Sequence, residues 1–420
     1  MSDWHTLIRK RDFPMIERAS CGKTPVIYLD NAATTQCPRP VIWAMEDYYA
    51  RRHANVHRGS YCLSDRATAA LEETRQLTAE FVGASGPEEI VFTSGATGGL
   101  NLLADAFART ELREGDLILA TEMEHHSNLL PWLEAAKRQG ARLELVPVTE
   151  AGELDVDALK ELLSRGPRLL TLCAVSNVLG TVNPLKEIIS LAHSAGAAVA
   201  VDAAQAMRHT LPPVRELDCD FLCFSAHKIM GPTGVGVLFG KREWLERLAP
   251  SRYGGGMVRS VHWPEVRLED GPQRFEAGTL NLAGIAGLGA ALDYLQAVGR
   301  GRIAAREQAL LRRAERHLRA LPGLRVLGEP RERAGVLSFI APPLQPYDLA
   351  LMLDRQGFAL RSGRHCAQPL HDRLGLSGSV RVSPAFYNTE EELDRLAEAL
   401  ERTLSAAAKA GLRFGGEARG

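Results

Sequence analysis

Apolar runs of strand length recur along this chain, and each one stops on small or polar residues. Segments 89–93, 117–121, 169–175, 197–201 and 221–224 are of this kind. Near-continuous apolar runs, rather than strict alternation, are what strands covered on both faces produce. Between them lie stretches with helical periodicity: one that follows the small-residue turn at 94–99, then 128–139 and 185–195, with Ser127 or Asn128 as a cap for the second. Earlier, 26–29 reads as a short strand and 40–52 as an amphipathic helix. Strands alternating with helices of roughly 10 to 15 residues predict an α/β chain with a largely parallel, doubly wound sheet. Past Lys228 a glycine-rich turn leads into a strand that ends at Gly240, and 253–257 is a flexible glycine run. A long helical region, 285–321, breaks near Gly299 and links a large domain to a smaller one. Beyond it, a strand at 335–340, a helix at 347–356, a strand at 380–382 and a helix at 390–404 predict an α+β unit. The division expected is an N-terminal segment 1–25, a large domain 26–298, a small domain 299–408 and a tail 409–420. The Gly/Ala/Arg-rich stretch from Ala406 is expected to fray.

The polar residues at the strand ends carry the chemistry. One apolar run stops on Asp202 and the next on Ser225-Ala226-His227-Lys228. Open α/β sheets place ligands at this edge. A carboxylate on one strand end and a lysine on the next is what pyridoxal phosphate needs, one to keep the pyridine nitrogen protonated and one to form the Schiff base. By themselves the two residues fit better as surface groups flanking buried strands. Recurrence changes the picture, because Thr97, His125, Asn177 and Gln205 stand at equivalent places. The turn Ser94-Gly95-Ala96-Thr97-Gly98-Gly99 leaves backbone N–H groups free for a phosphate at a helix start, and Thr97 adds a hydroxyl. It lacks the GxxxxGK[ST] pattern of nucleoside triphosphate sites. His125 and His126 either stack on a flat ring or bind a metal, and because adjacent side chains diverge, joint ligation is the weaker option. The loop 55–60 carries His57 and Arg58, which are either solvated or face an anionic substrate. Near the C-terminus, Arg361-Ser362-Gly363-Arg364-His365-Cys366-Ala367 sets a cysteine among two arginines and a histidine, neighbours that favour a thiolate.

Composition narrows the classes. At 420 residues and 45% hydrophobic the chain can bury a core large enough for more than one domain. A formal net charge of -1 gives no general attraction to nucleic acid or an anionic membrane. No apolar run reaches the ~20 residues that span a bilayer, and residues 1–17 lack a signal-peptide pattern, so the expected location is cytoplasmic. Seven scattered cysteines do not make a disulfide framework. Cys219 and Cys223 run into an apolar strand and read as buried thiols rather than metal ligands, and no metal is expected.

With the Ser-x-His-Lys and Arg-x-Gly-x-His-Cys-Ala segments both in view, the chain resembles the cysteine desulfurases. These form part of the class V branch of the aspartate-aminotransferase-like superfamily, and the short cysteine loop is most similar to the SUF-type group. The resemblance runs from about Tyr28 to Leu404. It implies a type I pyridoxal-phosphate fold, with a mostly parallel seven-stranded sheet and a smaller α+β C-terminal domain. It implies that Lys228 carries pyridoxal 5'-phosphate as a Schiff base, Asp202 pairs with the pyridine nitrogen, Gln205 with the ring hydroxyl, and His125 stacks on the ring. Ala96 backbone, Thr97, Ser225 and His227 hold the phosphate, joined by Thr279 from a second subunit of a homodimer. Asn177 and Arg381 bind the substrate carboxylate, Arg361, His57 and Arg58 line the entrance, and Cys366 is the nucleophile. The activity implied converts L-cysteine to L-alanine, with the sulfur held as a persulfide on Cys366 and passed to a SufE-like or zinc-bearing SufU-like acceptor for iron–sulfur cluster assembly. Selenocysteine lyase, with L-selenocysteine as substrate, cysteine-sulfinate desulfinase and a generic class V aminotransferase are the alternatives on the same scaffold; a cofactor-binding scaffold without turnover is the alternative outside it. Two positions depart from the family pattern. Ala96-Thr97-Gly98 stands where Thr-Thr-Glu is common, and Leu280 follows Thr279 where proline is common.

Overall fold

A computed structural model describes residues 12–21, 24–209 and 211–412. The reading of 1–11 and the fraying expected past 412 fall outside the described residues. Seven strands form the main sheet: β1 (Ile90–Thr93), β2 (Leu117–Thr121), β3 (Arg142–Val146), β4 (Leu169–Cys173), β5 (Ala198–Asp202), β6 (Phe221–Ser225) and β7 (Gly236–Gly240). Their order is β1-β7-β6-β5-β4-β2-β3. β7 is antiparallel to both neighbours, and the pairs from β6 across to β3 are parallel. Every residue of β2, β4, β5, β6 and β7 is buried, which explains their unbroken apolar runs. Alternate side chains enter different cores: Val199 and Val201 face one, Ala198 and Ala200 the other. β3 is an edge strand whose Arg142 and Glu144 stay accessible, and its mixed composition hid it from the sequence reading.

Helices cover both faces of this sheet. α1 (Ala96–Glu111) follows β1, and α2 (His126–Gln139) follows β2. α2 starts two residues earlier than expected because His125 is its cap: Nδ1 accepts from the Ser127 N–H. The segment expected as one helix over 40–52 is a helix, Arg39–Asp47, followed by a π-helical turn, Tyr48–Arg52. The long helical region divides as expected into Leu282–Val298 and Arg300–Ala320, which meet at 77°. Gly299, with φ of 94°, makes the break in a left-handed conformation that favours glycine. No single helix among the described residues is long and apolar enough to cross a membrane.

Four antiparallel strands form a second sheet: β8 (Arg325–Val326), β9 (Leu337–Ile340), β10 (Arg361–Gly363) and β11 (Ser379–Val382), in the order β8-β9-β11-β10. Leu310, Phe339, Leu353, Val380 and Leu396 fill its core. Ile27–Tyr28, expected in the large domain, instead pairs in parallel with Phe358–Ala359 and contributes to this smaller core. The closing helix runs Glu390–Lys409 behind a Thr389/Glu392 capping box. It therefore takes in residues 406–409, the start of the stretch that composition had expected to fray.

Candidate active site

A cavity of about 210 Å³ opens where the main sheet's parallel strands end and the smaller sheet approaches. Ala96 and Thr97 reach it from the start of α1, His125 and Ser127 from the start of α2, and Asn177 from beyond β4. Asp202 ends β5, Gln205 follows it, and Ser225, His227 and Lys228 come from the end of β6. The smaller sheet adds Arg361, His365 and Arg381. A larger groove of about 1490 Å³ lies between the Leu185 and Arg319 helices. It holds none of the residues predicted for the site, so the smaller cavity is where the chemistry converges.

Burial sets the charge states. The Lys228 amine is pushed down to about 8 by burial, with Asp202 pulling it back up. Burial raises the Asp202 carboxyl, while Lys228 and the Ala204 N–H, 2.9 Å from Oδ1, favour its ionised form. His125 is pushed down to about 3 by burial and then by Lys228, so its ring is neutral near pH 7. Because Nδ1 accepts from Ser127, the proton of the neutral ring sits on Nε2. Arg381 donates to the Asn177 carbonyl at 2.9 Å and to Asp30 at 3.0 Å, and its buried Nε has no partner among the described residues. Cys366 is exposed and stands outside the cavity wall. Its loop is fastened to the cavity on two sides: the His126 N–H donates to the Cys366 carbonyl at 2.7 Å, and the Asn177 side chain to the His365 carbonyl at 2.7 Å. His365 and Cys366 take left-handed backbone, with φ of 50° and 56°.

Residues 27–396 match the family model for class V aminotransferases. The chain belongs to the class V aminotransferase family. Among its relatives, the cysteine desulfurase of Dickeya dadantii is 45% identical over 394 residues, 94% of this chain and 95% of that one. A cysteine desulfurase of Synechococcus elongatus is 44% identical over 94% of this chain, which spans 63% of that protein's length. The cysteine desulfurase CsdA of Escherichia coli superposes with a TM-score of 0.89 at 37% identity, covering 97% of this chain and 99% of that one. Pyridoxal 5'-phosphate, the cofactor of these class V enzymes, fits the donor set. A buried lysine of lowered basicity, a carboxylate one strand away, a neutral imidazole and hydroxyls at a helix start are each present.

Three further candidate residues lie outside this cavity, and of these Thr279 was expected to serve a second subunit's site rather than its own. His57, Arg58 and Thr279 line a separate cavity of about 190 Å³ with Gly255, Gly256 and Glu276, and Arg58 donates to the Val258 carbonyl. Within one chain they do not meet Lys228. The charges placed around Cys366 by sequence also need correcting. Arg364 pairs with Asp372 at 2.9 Å, and Arg361 lies 3.8 Å from Asp30. His365 turns its Nε2 to the Ser379 hydroxyl, and burial pushes it down to about 2, leaving it uncharged. Gln205, expected at the ring hydroxyl, spends one amide N–H on the Ala32 carbonyl at 2.8 Å. Sequence reasoning missed Ser127, His365 and Asp30. For Ser127 a signal existed, since it follows the histidine pair at a helix start.

Proposed function

We propose that the chain is a cysteine desulfurase that converts L-cysteine to L-alanine and holds the sulfur on Cys366. The observation that carries this is an exposed thiol on a left-handed loop, fastened by His126 and Asn177 to a cavity built around Lys228 and Asp202. Bound pyridoxal phosphate supplies the covalent handle for the substrate amine and the electron sink for its carbanion. Lys228, with its lowered basicity, would hold the cofactor and would move protons at the substrate carbon. Asp202 would keep the proton on the pyridine nitrogen, and neutral His125 would lie over the ring. Arg381 and Asn177 receive the substrate carboxylate, for which the unpartnered Arg381 Nε is available. Cys366, as thiolate, attacks the substrate sulfur. The S–S bond forms as the Cβ–S bond breaks, and its electron pair stays on Cβ, which takes a proton to become the methyl group of alanine.

The same reading makes the enzyme a homodimer. The exposed apolar residues Ile42, Trp43, Tyr49 and Tyr61, beside the loop with His57 and Arg58, suit an interface that carries those residues and Thr279 to the other copy's cavity. The main sheet with its two flanking cores and the smaller sheet with its own core are taken as two domains that meet at Gly299. The persulfide passes to an acceptor protein of SufE or SufU type in the cytoplasm for iron–sulfur cluster assembly.

The test is alanine and sulfide release from L-cysteine with a reductant, for wild type and Cys366→Ala, beside the visible spectrum. The expected variant stays yellow and loses desulfuration. A variant that turns over cysteine as fast as wild type removes Cys366 from the mechanism.

A further inference from the structure

We propose that Ser127 donates directly to the phosphate of the bound cofactor, as the partner of Thr97 in a cradle where two helix starts meet. The inference rests on the pyridoxal-phosphate reading above and adds a ligand to it. Thr97 is the second residue of α1, and Ser127 is the second residue of α2. Their hydroxyl oxygens lie 2.7 Å apart, and both residues line the cavity. One hydroxyl proton is used in that contact and the other is left to point outward. Ser225 accepts from the Ala96 N–H at 2.7 Å and retains its own proton for donation. Ala96 itself brings no hydroxyl.

Charge makes this pair necessary. His227, the remaining side chain that this chain itself brings to this end, is pushed down to about 4 by burial and stays neutral. Of the two arginines in the cavity wall, Arg381 is held by Asp30 and Asn177, and Arg361 lies beside Asp30. A phosphate dianion therefore depends on neutral donors and on the positive ends of two helices, of 16 and 14 residues, that converge there. Ser127 is the hydroxyl that the second helix contributes. In its presence Thr97 can turn its proton outward as well, so both hydroxyls serve one anion.

The experiment titrates cofactor-free protein with pyridoxal 5'-phosphate and, separately, with pyridoxal, which lacks the phosphate, following absorbance of the bound ring. Wild type, Ser127→Ala, Thr97→Ala and the double variant are compared. Ser127→Ala should weaken pyridoxal phosphate about ten- to hundredfold, the range for one hydrogen bond to a charged group, and leave pyridoxal unchanged. The same loss should persist in the Thr97→Ala background. Equal losses for both compounds would mean a merely structural role, and no loss would remove Ser127 from the site. A loss that vanishes once Thr97 is gone would make Ser127 only a support for Thr97. Each of these overturns the proposal, whereas wild type binding neither compound would overturn the cofactor reading beneath it.

Discussion

The backbone N–H of His126 donates to the carbonyl of Cys366 across 2.7 Å, joining the start of α2 to the exposed thiol. The residue next to the histidine proposed to cover the ring thus fixes the peptide that carries the proposed nucleophile. That peptide is in left-handed backbone, with φ of 56° at Cys366, where a β-branched side chain is strained most. Cys366→Val should therefore be less stable than Cys366→Ala by roughly 1 to 3 kcal/mol. Chemical denaturation of both cofactor-loaded variants measures it, and equal midpoints would contradict the loop geometry.

In its proposed role Lys228 must lose its proton before it attaches the cofactor, and burial places that loss at about 8. The rate at which cofactor-free protein takes up pyridoxal phosphate should rise through pH 8 and level off above it. Asp202 holds the amine's proton on, so Asp202→Asn should move the midpoint to lower pH. Stopped-flow absorbance gives both profiles.

Glu124 lies fully buried beneath the site, accepting from the Thr121 hydroxyl, the Asn128 amide and the Cys173 N–H. Burial nonetheless raises its carboxyl from 4.5 to about 7. The folded state then holds this proton more tightly than the unfolded chain, so its contribution to stability is full below about pH 4 and fades as pH rises through 7. The change is on the order of 3 kcal/mol. In Glu124→Gln the pH dependence of unfolding over this window should flatten, as urea titrations at several pH values will show.

Arg75 and Glu276 form a buried pair at 2.7 Å, and Glu276 also accepts from the Phe92 N–H of β1. Arg75→Met leaves that carboxylate buried without its cation and should cost about 3 to 5 kcal/mol. Removing both charges, with Glu276→Gln added, should recover part of the loss. Denaturation of the single and double variants decides it.

Most of the cavity wall was legible before the fold was known. Buried parallel strands are written as apolar runs, and the polar residue that ends each run lands on the ligand edge, which is why Asp202, Lys228, His125, Asn177 and Thr97 converge. What stayed hidden depends on contacts between distant segments. Nothing around Ile27 announces its pairing with Phe358, and the flanking charges of Cys366 gave no sign that Asp372 and Ser379 would occupy them. The hairpin of Val258–His262 and Glu265–Leu268 also went unread, because its exposed strands have no buried face to set a pattern. Thr279, His57 and Arg58 were grouped with the site by resemblance, and in a single chain they form a group of their own.

The double fastening of the Cys366 loop has a consequence for delivery of sulfur. A thiol on a long swinging arm can visit a donor and then a distant recipient. Here His126 and Asn177 moor the peptide on either side, so on the proposed function sulfur is offered at one fixed quay. The travelling part of the transfer would then belong to the acceptor, which would have to carry its own reaching thiol or metal to that place.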